Sequence, residues 1–331
     1  IDLSGPAGVT FYTDGACSAT ATNVTITTGN SFKDFYFKSV TGGVINITAI
    51  DSLATMVLAT QAETIGPSKF AFTTGPLTVA ATVCSAANTI QTRDVGNAST
   101  NTTIQVVGNL TANPGVSFFT ASNCLSGGTS TITVAASAAN SNNFYFTSST
   151  GNTINLTVAD NAGLLATTSQ AATITPSKLA FNSAAQTNKS NTCSAINTIA
   201  TQDANSVGTN AGSATAITLS APVGVTFYGD SCSTATSTVN IASNASTTTF
   251  YFKSGVGNSI IVTAVSGGLT TTTQTHTITP AKFAFPTGTQ SLVSNVCSAV
   301  NTIQTQDFLS NSNNTAAATT ADLTAPATVT F

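Results

Sequence analysis

Apolar and polar side chains alternate one for one in short segments spread along the chain. Phe35 and Phe37 flank Tyr36, Phe144 and Phe146 flank Tyr145, and Phe250 and Phe252 flank Tyr251. Successive residues of a strand point to opposite faces, so each segment is predicted to be a strand with phenylalanines inward and a tyrosine outward. The segment before each carries Val24 and Ile26, Ile132 and Val134, or Val239 and Ile241. The segment after carries Ile45 and Ile47, Ile154 and Leu156, or Ile260 and Val262. Four more strands are predicted at KFAF, at the stretch opening with CSA, at the Thr- and Val-rich stretch such as Thr102 to Val107, and at GVTFY or GVSFF. Apolar residues do not recur at three- and four-residue spacing over ten or more positions, and Thr and Val favour strands, so no helix is predicted.

The strands come in repeats. PSKFAF at 67–72, PSKLAF at 176–181 and PAKFAF at 280–285 are followed by CSAANTIQTRD from Cys84, CSAINTIATQD from Cys193 and CSAVNTIQTQD from Cys297. Lys69, Lys178 and Lys282 lie 109 and 104 residues apart. Seven strands in a period of about 107 residues, separated by Gly, Asn and Asp turns, fit a β-sandwich. The predicted fold is therefore all-β, a tandem array of seven-stranded sandwiches. Residues 66–174 and 175–278 are complete units, 1–65 the second half of one, and 279–331 the first half of another. IDLSGPAGVTF at 1–11 matches ADLTAPATVTF at 321–331, the same phase of the repeat. A half sandwich leaves sheet edges and a face uncovered. Two sources of the missing strands stay open: a polypeptide continuing in both directions, or the complementary half of another copy added as strands.

Composition narrows the function classes. Only 6% of the residues are charged, while Ser and Thr supply 103 of 331, so solubility rests on hydroxyls and amides. A net charge of -3 offers no basic patch for nucleic acid and no polybasic strip for anionic lipid. No apolar run is long enough for a membrane-spanning helix, so this segment is not expected to insert in a membrane. The chain opens at Ile1 without a charged-then-apolar leader, and any export signal is expected to lie outside it.

Six cysteines, with no CxxC pair and a single histidine, point to disulfides and not to a metal centre. Cys84 and Cys124 are 40 residues apart and Cys193 and Cys232 are 39 apart, which pairs them within each unit. Cys17 and Cys297 are then unpaired within the chain and are expected to pair across the boundary of a half unit. Disulfides place the chain in an oxidising compartment, extracellular or periplasmic.

Catalytic chemistry needs a base or nucleophile held by partners, and no such set recurs or occupies a distinctive insertion. His276 stands where the other copies have Glu63 and Ala172, and reads as an ordinary strand residue. The acidic residues are scattered, without a calcium loop, and no cofactor is expected. Asp94, Asp203 and Asp307 recur after a strand and read as turn formers. Lys69, Lys178 and Lys282 read as neutralising an edge strand, in preference to a lysine–asparagine isopeptide bond with Asn46 or Asn155, a site where the third copy has Ile261.

PSKFAF, QTRDVGN at 91–97, GVSFF from Gly115 and FYFTSSTGNTINLTVAD at 144–160 resemble the bacterial immunoglobulin-like repeats of invasin- and intimin-type surface proteins. The resemblance implies Ig-like sandwiches in an extracellular array used as a stalk, adhesin or filament. The expected function is the non-catalytic shaft of an exported bacterial surface fibre, its partners being copies of itself or further repeats of the same polypeptide. The alternative is an adhesin module recognising a host, prey or surface ligand. The copies differ mainly by small polar exchanges and short insertions, which favours the shaft.

Overall fold

The computed structural model describes residues 1–325 of the chain, so the match of residues 1–11 with 321–331 ends outside the described residues. Every regular element among the described residues is a strand, and the architecture is a tandem set of Ig-like β-sandwiches. The chain divides into two compact units, Ile1–Ile174 and Thr175–Phe331.

In the first unit, one face of the sandwich built from the strands between Lys69 and Thr175 is a five-stranded sheet. Its order is Thr131–Val134, Val106–Ala112, Asn152–Asp160, Thr168–Thr175 and Leu77–Ala80. The opposing face joins Lys69–Phe72 and Ile90–Arg93 to Tyr145–Ser148, Val116–Phe119 and Gly128–Thr129, with an Asn88–Phe144 bridge linking the two groups. The register sets Phe118 opposite Phe146, and the inward aromatics interlock: the Phe118 and Phe144 rings meet edge to face at 6.2 Å. Phe144 and Phe146 are fully buried among Phe70, Ile90, Leu110, Ile132, Ile154, Leu156 and Ile174.

The second unit repeats this plan. Lys178–Phe181, Asn197–Gln202, Thr247–Ser254 and Val225–Tyr228 form one sheet; Thr187–Lys189, Thr272–Thr279, Asn258–Val265, Thr215–Ser220 and Thr238–Ile241 form the other. Phe250, Phe252, Ile199, Ile217, Ile241 and Ile260 fill the space between.

Residues 1–65 build two three-stranded sheets, Asp2–Ser4 with Gly43–Ile50 and Ala59–Ile65, and Thr20–Ala21 with Val9–Tyr12 and Tyr36–Ser39. Leu3, Phe11, Val24, Ile45 and Ile47 are buried between them. Phe37 is only half-buried, whereas its counterparts Phe146 and Phe252 are inaccessible. Near the other end, Lys282–Ala284 pairs with Gln304–Gln306, and Phe283 is 48% exposed where its counterpart Phe70 is 3% exposed.

The structure departs from the sequence reading at two elements. The strand expected to open at Cys84 begins only at Ile90, and the one expected at Cys193 begins at Asn197. In between, backbone and side chain share the pairing: the Ser85 and Ser194 N–H groups donate to the Phe146 and Phe252 carbonyls, each at 2.9 Å. Ser85 Oγ accepts the N–H of Phe146 and Ser194 Oγ that of Phe252, each at 3.0 Å. The second departure is a short strand, Leu77–Ala80 or Thr187–Lys189, at the edge of the opposite sheet. The latter runs parallel to Thr272–Thr279. Three or four residues carry too little alternation to be read, and Asn188 replaces the inward Val79 in the later copy.

Candidate functional site

The recurring polar groups gather in three places: the Cys-Ser-Ala-x-Asn loop, the turn after the Thr-x-Asp strand end, and the edge of the strand bearing His276.

In the loop, Cys84 is bonded to Cys124, with Cα atoms 5.6 Å apart, and Cys193 to Cys232, with Cα atoms 5.9 Å apart. Cys124 and Cys232 adopt left-handed backbone, φ 53° and 64°, and Cys17 has the same conformation at φ 51°. Cys17 is half-buried and Cys297 exposed, and both are free thiols. Asn88 and Asn197 are inaccessible and hydrogen-bonded within the loop. Asn88 Nδ2 donates to Ser85 Oγ and the Ala86 carbonyl; Asn197 Nδ2 donates to Ser194 Oγ and the Ala195 carbonyl. Thr74 Oγ1 donates to Asn88 Oδ1, and Gln186 Nε2 donates to Asn197 Oδ1. A buried amide is stable only when so satisfied. The Ser and Asn of the CSAxN phrase thus have a structural role that strand periodicity alone had hidden.

The turn after the Thr-x-Asp strand end forms a joint between repeats. Asp94 Oδ1 accepts the Ala98 N–H at 2.8 Å inside its own turn, while Oδ2 accepts the N–H of Gly42 in the preceding repeat at 3.0 Å. The second unit repeats this atom for atom. Asp307 Oδ1 accepts the Asn311 N–H at 2.8 Å and Oδ2 accepts the Gly257 N–H at 3.0 Å. Gly42 and Gly257 are required by proximity: a Cβ on Gly42 would strike Thr100, and one on Gly257 would strike Asn313. At the second joint Asn313 Oδ1 accepts the Asn258 N–H, and its Nδ2 donates to the Ile278 carbonyl. The Phe308 N–H reaches Ser190 Oγ at 3.1 Å. Asp94 and Asp307 are therefore more than the turn formers expected. Asp203 accepts the Asn205 and Val207 N–H groups within its own turn.

The recurring lysines belong to this same turn. Lys69 Nζ donates to the Val95 carbonyl, Lys178 to the Ala204 carbonyl and Ser206 Oγ, and Lys282 to the Phe308 carbonyl and Ser310 Oγ. Each lysine ties its own strand to the turn 26 to 28 residues later.

His276 is fully inaccessible on the strand Thr272–Thr279. Its Nδ1 accepts the N–H of Gln186 at 3.1 Å, and its ring meets Phe252 edge-on at 4.8 Å. Burial lowers its pKa from the ordinary histidine value. Among the described residues, no group of three or more His, Cys, Asp or Glu is placed to hold a metal ion. No helix among them is long and apolar enough to cross a membrane.

No protein-family model matches the chain, and no curated protein matches it in sequence. Solved structures of similar arrangement include the Escherichia coli adhesin FdeC, 12% identical over 84% of this chain and 85% of that one, with a TM-score of 0.40. The Yersinia pseudotuberculosis adhesin InvE is 15% identical over 64% of this chain and 58% of that one, with a TM-score of 0.29. A β-glycosidase from Bacteroides vulgatus is 11% identical over 54% of this chain and 23% of that one, with a TM-score of 0.27.

Proposed function

We propose that the chain is part of the non-catalytic shaft of an exported bacterial surface fibre, built from disulfide-bonded Ig-like repeats at 66–174 and 175–278 and half repeats at 1–65 and 279–331. The observation that carries this reading is the joint. The same aspartate spans from its own turn to the same glycine N–H of the preceding repeat at two joints, Asp94 with Gly42 and Asp307 with Gly257. A joint repeated at Asp94 and at Asp307 suits an element whose role is length and stiffness; a recognition module needs one repeat to differ. The within-repeat disulfides suit an extracellular location at the cell surface.

The partners of this shaft are further repeats of the same polypeptide or copies of it. Such repeats cover Phe37 and Phe283 as strands cover their counterparts in complete repeats, with Cys17 and Cys297 bonded there. Immunogold electron microscopy of native cells with an antibody against residues 66–174 tests the proposal. Label distributed along surface filaments is expected; label confined to filament tips, or to separate non-fibrous particles, overturns it in favour of a binding module.

A further inference from the structure

The pair Gln186 and His276 has no polar counterpart in the preceding sandwich, where Leu77 and Ala172 occupy the two positions. Gln186 leads into the parallel edge strand Thr187–Lys189 and is tied to the sheet at both backbone atoms. Its N–H donates to His276 Nδ1 at 3.1 Å, and its carbonyl accepts the Thr277 N–H at 2.9 Å. The strand's far end is held by the Ser190 N–H on the Thr279 carbonyl, also at 2.9 Å. Because Nδ1 is an acceptor, the neutral ring carries its proton on Nε2, which is buried and has no hydrogen-bond partner among the described residues.

We propose that the repeat at 175–278 carries an acid-sensitive edge, in which protonation of His276 releases the parallel strand Thr187–Lys189 from its sheet. A second proton can enter only at Nδ1. It then points at the Gln186 N–H, donor against donor, and the bond that starts the parallel strand is lost. The resulting cation is buried against Phe252, and among the described residues no acid pairs with it. The strands packed around it carry three charged side chains, of which Lys178 on the strand Lys178–Phe181 donates to the Ala204 carbonyl and Ser206 Oγ. Lys189 on the edge strand is exposed, and Lys253 on the strand Thr247–Ser254 lies over the Tyr228 ring at 5.5 Å. All three are cations, and none favours imidazolium. The strands Asn258–Val265 and Asn197–Gln202 bear no charged residue.

The sign follows from geometry and burial together. A histidine whose pKa is lowered on folding leaves stability intact above its unfolded value of 6.5, and takes it away as pH falls below that towards the folded value. Each unit of separation between the two values is worth about tenfold in the opening equilibrium.

Amide hydrogen exchange on the full chain, followed by mass spectrometry and expressed as protection factors, tests the proposal. The segment 184–192 is expected to lose about tenfold or more of its protection between roughly pH 7.5 and 5. The corresponding segment 75–83 of the preceding repeat, with Leu77 and Ala172, serves as the internal control and is expected to keep its protection. His276→Ala, which copies Ala172, is expected to abolish the pH dependence of 184–192 whatever its effect on absolute stability. Equal losses in both segments, no loss in either, or an unchanged pH dependence in His276→Ala overturns the proposal. A His276 ring that titrates at or above 6.5 by NMR overturns it independently of any variant.

Discussion

Asp94 and Asp307 each use one carboxylate oxygen inside their own turn and the other on the repeat before, so a single side chain couples local and long-range order. The Gly42 N–H is the largest influence holding the Asp94 carboxyl below its ordinary value, with Ala98, Gly96 and Lys69 adding to it against the effect of burial. At Asp307 burial acts first and in the opposite direction, and is outweighed by the Asn311 side chain and the N–H groups of Asn311, Gly257 and Leu309. Both carboxyls therefore contribute stability above the ordinary aspartate value of 3.8, which is lost as pH falls through it to their lowered folded values. Asp94→Ala is expected to cost about 1–3 kcal/mol by leaving the Gly42 and Ala98 N–H groups unpaired. Faster amide exchange at Gly42 and Ala98 is the readout. Unchanged exchange at Gly42 would show that the Asp94 contact does not hold the joint.

Among the elements, the strand carrying the FYF phrase holds the core. Phe146→Ala is expected to cost about 3–5 kcal/mol, because the cavity it leaves is enclosed by both sheets. Phe37→Ala at the same position of residues 1–65 should cost markedly less, since Phe37 is already half-exposed. Thermal unfolding of the two variants compares them directly. The disulfide closes a loop of 40 residues between Cys84 and Cys124. Replacing both with Ser is expected to cost about 4 kcal/mol in the chain-entropy model, read as a lower midpoint in guanidinium under oxidising conditions. Under reducing conditions the wild-type chain should converge on the variant. Persistence of the difference would mean that the serines disturb packing and that the bond itself contributes little.

At the scale of the whole molecule, the core from Leu179 to Ile278 and the joint made by Asp307 are expected to lose order independently. Gly257→Val tests this. The added side chain enters the space of Asn313, and is expected to break the contacts of Asp307 and Asn313 with the preceding repeat. The core of residues 175–278 contains neither residue and should be untouched. Amide exchange should rise at Asn258 and at Asn314, whose N–H donates to Asn258 Oδ1 at 3.1 Å, while the protection of Phe250 and Phe252 is retained. Global loss of protection in the repeat would show that the joint is part of its folding unit.

Much of this organisation was legible in the chain. A period of two in FYF and its flanking strands marks the inward faces, and repetition of whole phrases marks the sandwiches, because both express burial that every copy must satisfy alike. The edge strands Leu77–Ala80 and Thr187–Lys189 were not legible, since three or four residues held by a neighbouring strand leave no periodic trace. Nor was the late start of the strand after Cys84, where the Ser85 hydroxyl accepts the Phe146 N–H beside the backbone bonds of Ser85 and Asn88 to residues 146 and 144. The second role of Asp94 and the seating of His276 also rest on partners distant in sequence, Gly42 and Gln186. Local pattern determines which residues are buried and how often the unit recurs. Which buried polar atom finds which partner is decided only when the chain brings distant backbone N–H groups within hydrogen-bond reach.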